Sequence, residues 1–188
     1  HAGEWGYRAR TQIKVHGEEI GFHAANSKQI VEVQECPVLA PELEQALPRL
    51  RSVMANRPKG LRVHQLEGAC GVGGASWSPE LPGLRKDLVE HRVLGFRYLV
   101  EPDGFFQGNH LLVEQLVRGA TEGLKGALAF DLYAGVGLFS LPLSRGFARV
   151  ESVEDERRAA TLGRVNVKQN GCDNVSYYRE TTDRKSTR

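Results

Sequence analysis

Cysteine is scarce in this chain: Cys36, Cys70 and Cys172 are the three among 188 residues. Thiols so few and scattered build no disulfide framework, which favours a reducing, cytoplasmic compartment. Long apolar runs are missing too. None approaches the roughly 18 residues of a membrane helix, so no membrane partner is expected. No charge of one sign dominates, since 25 Lys and Arg against 23 Asp and Glu leave a net +2. That balance does not by itself argue for nucleic-acid binding. No repeat and no signal peptide are visible. The sequence starts at His1 rather than Met, and the simplest expectation is a piece of something longer. What is present is a globular mixture, 40% hydrophobic and 26% charged, which excludes wholesale disorder.

The pattern changes along the chain. Residues 7–15, 20–23 and 30–33 read as β-prone runs separated by turns at Gly17 and at Asn26-Ser27-Lys28. Leu39, Leu43, Ala46, Leu47, Leu50 and Val53 then fall at helical spacing, predicting one amphipathic helix over 41–55, kinked at Pro48. The glycines between 56 and 80 predict a loop or hairpin; with no Lys-Ser/Thr after them they are not a phosphate cradle. Residues 93–100 read as one strand. A helix over 109–118 follows, with Asn109 as N-cap and Gly119 as its stop. The last third is the most regular. It shows a buried apolar strand at 127–132, a glycine turn at 134–137 and a helix start at 138–145. A strand at 149–153, a helix over 155–170 stopped by Gly171, and a strand at 175–178 complete it. That alternation means a parallel α/β sheet. Only three of its strands are spelled out, which leaves an exposed edge. Residues 181–188 carry no large apolar side chain and are expected to fray.

Chemistry is concentrated in Phe130-Asp131-Leu132-Tyr133-Ala134-Gly135-Val136-Gly137-Leu138-Phe139, at a strand-to-helix turn. Gly135 and Gly137 permit a sharp turn and close approach of a ligand to backbone N–H groups. A dinucleotide fingerprint needs a third glycine or alanine where Ser140 stands, so that pattern is broken. A methyltransferase needs an acid at the strand end and a G-x-G, as here, and either fold places a second acid at the end of the next strand to bind ribose. Glu154 lies there, with Asp155 and Glu156 beside it. The alternative is a nucleotide-free α/β domain whose glycines serve packing.

Several blocks in order resemble the RNA uracil-5-methyltransferases, over residues 5–179. They are Gly6-Tyr7-Arg8-Ala9-Arg10, Ile20-Gly21-Phe22, and Ile30-Val31-Glu32-Val33-Gln34-Glu35-Cys36-Pro37-Val38-Leu39. Next come Pro102-Asp103-Gly104-Phe105-Phe106-Gln107-Gly108-Asn109, then Asp131 through the glycine turn to Ser140-Leu141-Pro142, and finally Asn170-Gly171 with Asn174-Val175. The Glu-Cys-Pro-Val-Leu block looks closer to the branch acting on 23S ribosomal RNA than to the transfer-RNA branch. The resemblance implies a partial class I, Rossmann-like S-adenosylmethionine-dependent methyltransferase domain, α/β in class, preceded by a smaller α+β region. The expected division is 1–100 for the α+β, RNA-side region, 101–180 for the first half of the cofactor domain, and 181–188 for the tail.

By the same resemblance, S-adenosylmethionine is contacted by Gln107, Tyr133, Gly135, Gly137, Leu138, Glu154 and Thr181. Glu154 matches the ribose-binding acid, and Leu138 stands where relatives are often polar. Cys36 matches the fourth ligand of a four-iron, four-sulfur cluster in cluster-containing relatives, and otherwise reads as an inert buried thiol. The family's reaction adds a cysteine thiolate to uracil C6, transfers methyl to C5, and removes the C5 proton with a carboxylate. Its Asp-Pro-Pro and Ser-Cys-Asn-Pro blocks are missing from these 188 residues. The implied chain therefore contains no nucleophile or general base and is inactive alone, and Cys172 does not replace the nucleophile. RNA is the implied partner, with no DNA and a monomeric state. Arg8, Arg10 and Lys14 on one strand, or Arg49, Arg51, Arg57, Lys59 and Arg62 near the helix end, are the candidate phosphate contacts. Two other readings stand beside this one: a methyltransferase with a non-RNA substrate, and a non-catalytic RNA-binding scaffold.

Overall fold

The computed structural model describes residues 3–180; the tail at 181–188, and Thr181 with it, lies outside the described residues. Packing divides the chain into two units. The first comprises the described residues up to Val89 together with Glu101–Asp103 and Gln107–Leu111. The second comprises Glu90–Val100, Gly104–Phe106 and the described residues from Leu112 onward. The second unit thus takes in the stretch before residue 101.

The first unit is an antiparallel sheet with two short helices. Its strands are β1 (Arg10–His16), β2 (Glu19–His23), β3 (Ile30–Glu32), β4 (Gln65–Gly71) and β5 (Gly74–Ser78), in the order β3-β2-β1-β4-β5. In β1 the side chains of Thr11, Ile13 and Val15 are buried at every second position, the period of a strand with one face on a core. The glycine-rich stretch forms the β4–β5 hairpin, paired from Glu67↔Ser78 to Gly71↔Gly74. Instead of one kinked helix over 41–55 there are two, α1 (Pro41–Glu44) and α2 (Leu47–Ala55). Pro48 sits in the first turn of α2, where its missing N–H removes no helical bond. Leu43, Leu47, Leu50 and Met54 pack into one core with Ile13, Ile20, Leu66 and Trp77.

A partly buried acid ties down the end of this unit. Asp103 Oδ2 accepts hydrogen bonds from Ser78 Oγ and from Lys86 Nζ, each 3.0 Å. Burial raises its pKa, but these two bonds outweigh burial and hold it at about 2. A carboxyl lowered in the folded state contributes stability above its unfolded value near 3.9 and loses it as pH falls toward 2. Asp103→Asn is therefore expected to lower the urea midpoint at neutral pH. The difference from the parent chain should shrink steadily between pH 4 and 2, in urea titrations at a series of pH values.

The second unit contains β6 (Val89–Val93) from Glu90 onward, β7 (Phe96–Val100), α3 (Val113–Thr121), β8 (Gly126–Leu132), α4 (Ser140–Leu143), β9 (Phe147–Val153), α5 (Arg157–Gln169) and β10 (Val175–Tyr178). The run 93–100, expected as one strand, reverses direction at Leu94-Gly95, which adopt φ of 51° and 83°. Such a two-residue turn closes a hairpin. The unusual leucine is held by its N–H donating to the Glu114 carboxylate at 3.1 Å and its carbonyl accepting from Arg145 at 2.8 Å. Helix α3 starts later than the expected 109. Asn109 Oδ1 accepts instead from the Leu111 N–H at 3.1 Å, a local turn that competes with capping. Gly119 lies inside α3.

Strands β8, β9 and β10 are parallel, in the order β10-β9-β8. Central β9 is buried from Val150 to Val153. Strand β8, expected to be buried, is an edge of this sheet among the described residues, and Leu128, Phe130 and Leu132 are 44%, 56% and 50% exposed. Helix α4 is four residues long rather than eight. Helix α5 begins at a cap in which the Glu156 side chain accepts from the Ala159 N–H. Its buried positions Ala160, Gly163 and Asn166 recur every three residues. Among the described residues no helix is long and apolar enough to cross a membrane.

Candidate cofactor site

The chain leaves β8 and must turn at once to start α4. Tyr133, Gly135 and Gly137 make the turn with φ of 61°, 55° and 96°. A tyrosine at positive φ costs on the order of 1 kcal/mol or more and marks a place where strain is retained. At Gly137 a Cβ would stand 2.9 Å from Leu141 Cδ1, a contact that a small shift of the leucine relieves, so it is the φ of 96° that favours glycine there.

The second acid closes this turn. Glu154, buried at the end of β9, accepts from the Gly135 N–H through Oε2 at 2.7 Å and from the Glu156 N–H through Oε1 at 2.8 Å. The Ala134 N–H donates to Val153 O at 3.0 Å and the Gly137 N–H to Ala134 O at 2.8 Å. The N–H groups of Val136 and Leu138 donate to nothing among the described residues. Two unsatisfied donors beside a buried carboxylate form a cradle for a ligand that offers both acceptors and hydroxyl groups.

The opposite side of the turn is gripped by side chains from three elements. Tyr177 Oη on β10 donates to Gly135 O at 2.6 Å, Asn166 Nδ2 on α5 to Val136 O at 3.0 Å, and Tyr98 Oη on β7 to Leu138 O at 3.3 Å. Burial, the largest influence on both phenols, raises their pKa well above the ordinary tyrosine value. Both therefore stay protonated donors at physiological pH. Fully buried Asn166 also accepts from the Leu99 N–H at 2.8 Å and donates to Leu99 O at 3.2 Å. Asp131, the strand-end acid, accepts from Ser140 Oγ at 2.5 Å, and Ser140 Oγ accepts from Ser152 Oγ at 2.8 Å. Burial raises the Asp131 pKa, opposed by the Ser140 hydrogen bonds.

Of the residues singled out by sequence, Gly135, Gly137, Leu138 and Glu154 come together here, with Tyr133 exposed at the rim. Leu138 turns its side chain into the second unit's core, so only its backbone faces the cradle. Gln107 belongs to the first unit and is half-buried. Thr181 is outside the described residues. Tyr98, Ser140, Asn166 and Tyr177 were not singled out. For Asn166 a signal existed, a polar residue on the apolar stripe of α5.

The thiols and cations are placed less suggestively. Cys172 is buried in the second core. Cys70 is buried in the first, which together with the Glu42 charge pushes its thiol up to about 12. Cys36 is half-buried. Among the described residues no three His, Cys, Asp or Glu side chains gather to hold a metal, so Cys36 has no companion ligands there. Arg10 donates to Pro102 O, and Lys14 donates to Gln12 and Gln65. Arg49, Arg51 and Arg57 donate to the carbonyls of Gly83, Val33 and Met54. These cations are engaged in holding the fold.

The sequence profile of a family described as tRNA (Uracil-5-)-methyltransferase matches residues 85–187, more than half of the chain. The chain belongs to this family. Among curated members it is 29% identical to the 23S rRNA (uracil(1939)-C(5))-methyltransferase RlmD of Klebsiella pneumoniae (strain 342), and 28% to that of Salmonella typhi. In each case the match takes in 98% of this chain and 52% of the relative. The chain thus spans about half the length of the curated relatives it matches. A tRNA (uracil-54, C5)-methyltransferase of Pyrococcus abyssi, solved with S-adenosyl-L-homocysteine, shares its fold at a TM-score of 0.75 and 23% identity. That likeness covers 95% of this chain and 57% of the other. The family member described here is therefore α/β, with a Rossmann-like second unit.

Proposed function

We propose that this chain carries the S-adenosylmethionine site of an enzyme that methylates C5 of uridine in RNA, with 23S ribosomal RNA as the substrate. The observation that carries the reading is the buried Glu154 carboxylate bonded to the Gly135 N–H beside two unsatisfied N–H groups, in a chain of this family. The cofactor supplies an electrophilic sulfonium methyl group. Glu154 has lone pairs left over for ribose hydroxyls, and the Val136 and Leu138 N–H groups face acceptors. Tyr133 offers a ring at the rim, and Gln107 and Thr181 complete the set carried over from the family. Cys70 and Cys172 are buried and half-buried Cys36 packs against the first core, so no thiol is poised to attack a base and methyl transfer by this chain alone is not expected. The RlmD relatives favour ribosomal RNA.

Glu154→Gln tests the site. One carboxylate oxygen becomes an NH2 group facing a backbone N–H, donor against donor. Affinity for S-adenosylhomocysteine in calorimetric titration is expected to fall at least tenfold with the circular dichroism unchanged, about the loss of one charge-assisted hydrogen bond. Undiminished binding by the variant would overturn the assignment of this acid. Binding assays with 23S ribosomal RNA fragments and with transfer RNA decide the substrate, the ribosomal fragment being expected to bind more tightly.

A further inference from the structure

The first unit has a groove of about 710 Å³ between the β1–β2 turn and the segment that joins α2 to β4. Val15, Met54 and Val63 form its apolar floor. Its rim carries His16, Arg57, Lys59, Arg62 and His64, against the single acid Glu18. The joining segment has no regular structure, yet it is fastened. Arg57 donates to Met54 O at 2.6 Å and to Leu61 O at 3.3 Å, and the Val15 N–H donates to His64 O at 3.0 Å.

The rim differs from most of the basic surface of this unit, Arg8 and Lys28 being likewise unbonded among the described residues but outside the groove. Arg10, Lys14, Arg49 and Arg51 are bonded to the protein itself. The side chains of Lys59, Arg62, His16 and His64 make no hydrogen bond or ion pair among the described residues. Arg57 thus holds a loop that presents unpaired cations over a concave apolar floor. A concave basic rim raises the local concentration of a polyanion and holds it by counterion release. An isolated small anion gains little from charges spread along a groove, whereas a phosphodiester chain meets them in succession.

We propose that this groove is a docking surface for the phosphate backbone of single-stranded RNA, with Lys59 and Arg62 as its principal contacts. The inference rests on the reading that the substrate is RNA, and it places a binding surface in the unit that lacks the glycine turn.

The test uses the whole chain and a fluorescein-labelled single-stranded oligoribonucleotide, with anisotropy read across a salt series. S-adenosylhomocysteine binding is measured in parallel. The K59E/R62E variant is expected to bind the RNA at least tenfold more weakly. Its log affinity should fall less steeply with log salt by about 1.4, two contacts at about 0.7 each, while cofactor affinity and thermal midpoint stay unchanged. A K28E/K125E control alters net charge equally away from the groove and is expected to retain most of the affinity. The proposal is overturned if the control loses as much as the groove variant, or if the parent chain binds no RNA at 50 mM salt. It is also overturned if polyaspartate of matched charge displaces the RNA at equal concentration, which would make the groove a site for acidic peptides. Failure of cofactor binding with RNA binding intact would instead count against the methyltransferase reading and leave the groove standing.

Discussion

Asn166→Ala is expected to cost the second unit about 3–5 kcal/mol, a large fraction of the stability of an ordinary domain. Its amide is fully buried and bonded to the Leu99 N–H, the Leu99 carbonyl and the Val136 carbonyl. Alanine leaves all three without this partner, the Val136 carbonyl in a buried site and the Leu99 groups in a partly buried one, and each such buried group costs about 1–3 kcal/mol. Asn166→Asp is a sharper probe because the volume is unchanged. It keeps an acceptor for the Leu99 N–H but sets a carboxylate oxygen against the two carbonyls, so it is also expected to destabilise, and more at pH 7 than at pH 4. Urea unfolding of both variants checks this. Thr161→Ala, on the exposed side of the same helix, should shift the midpoint little. Loss of less than about 1 kcal/mol in Asn166→Ala would mean that the amide is not holding the turn to the helix and to β7.

Gly163→Ala carries the second large effect, and its sign opposes helix propensity. In an exposed helix interior, alanine for glycine stabilises by about 1 kcal/mol. Here a Cβ would stand 2.3 Å from Tyr177 Cζ and 2.6 and 2.7 Å from its Cε atoms. The ring has little room to retreat, since it sits on β10 and its hydroxyl is fixed to Gly135 O at 2.6 Å. Overpacking of this kind costs about 1–3 kcal/mol. The variant is expected to be destabilised and to bind S-adenosylhomocysteine more weakly, because displacing Tyr177 releases the Gly135 carbonyl. A double-mutant cycle isolates the cause. In a Tyr177→Ala background the same Gly163→Ala change is expected to be neutral or stabilising. Equal destabilisation in both backgrounds would place the clash elsewhere.

Legibility in the sequence followed how local the deciding force was. Strand β10 and helix α5 were readable because apolar periodicity and Gly171 mark them within a few residues. The acid and the glycine turn were readable because a sharp turn at φ near 55° and 96° restricts residue choice. The Leu94-Gly95 reversal was not readable: leucine at positive φ has no sequence signature and is held by Glu114 and Arg145 from distant positions. Asn109 looked like a cap, but a local turn took its side chain first. Strand β8 looked buried because its composition is apolar, while its position at the sheet edge is decided by partners that composition does not name. The grip of Tyr98, Asn166 and Tyr177 on successive carbonyls joins residues 40, 30 and 42 positions apart in sequence, beyond the reach of any local pattern.

Strand order has one more consequence, and it concerns how the second unit breathes. Among the described residues, strand β9 is hydrogen-bonded on both flanks, whereas β8 has a partner on one side only. Amides of an edge strand open in small fluctuations, while those of a doubly paired strand wait for cooperative opening. The glycine turn grows covalently from β8, but it hangs from β9 through the Ala134 bond to Val153 and the Glu154 bond to Gly135. The turn therefore inherits the slow opening of the central strand rather than the fraying of the edge strand that precedes it. A cradle mounted in this way keeps its shape while its nearest neighbour in sequence flickers.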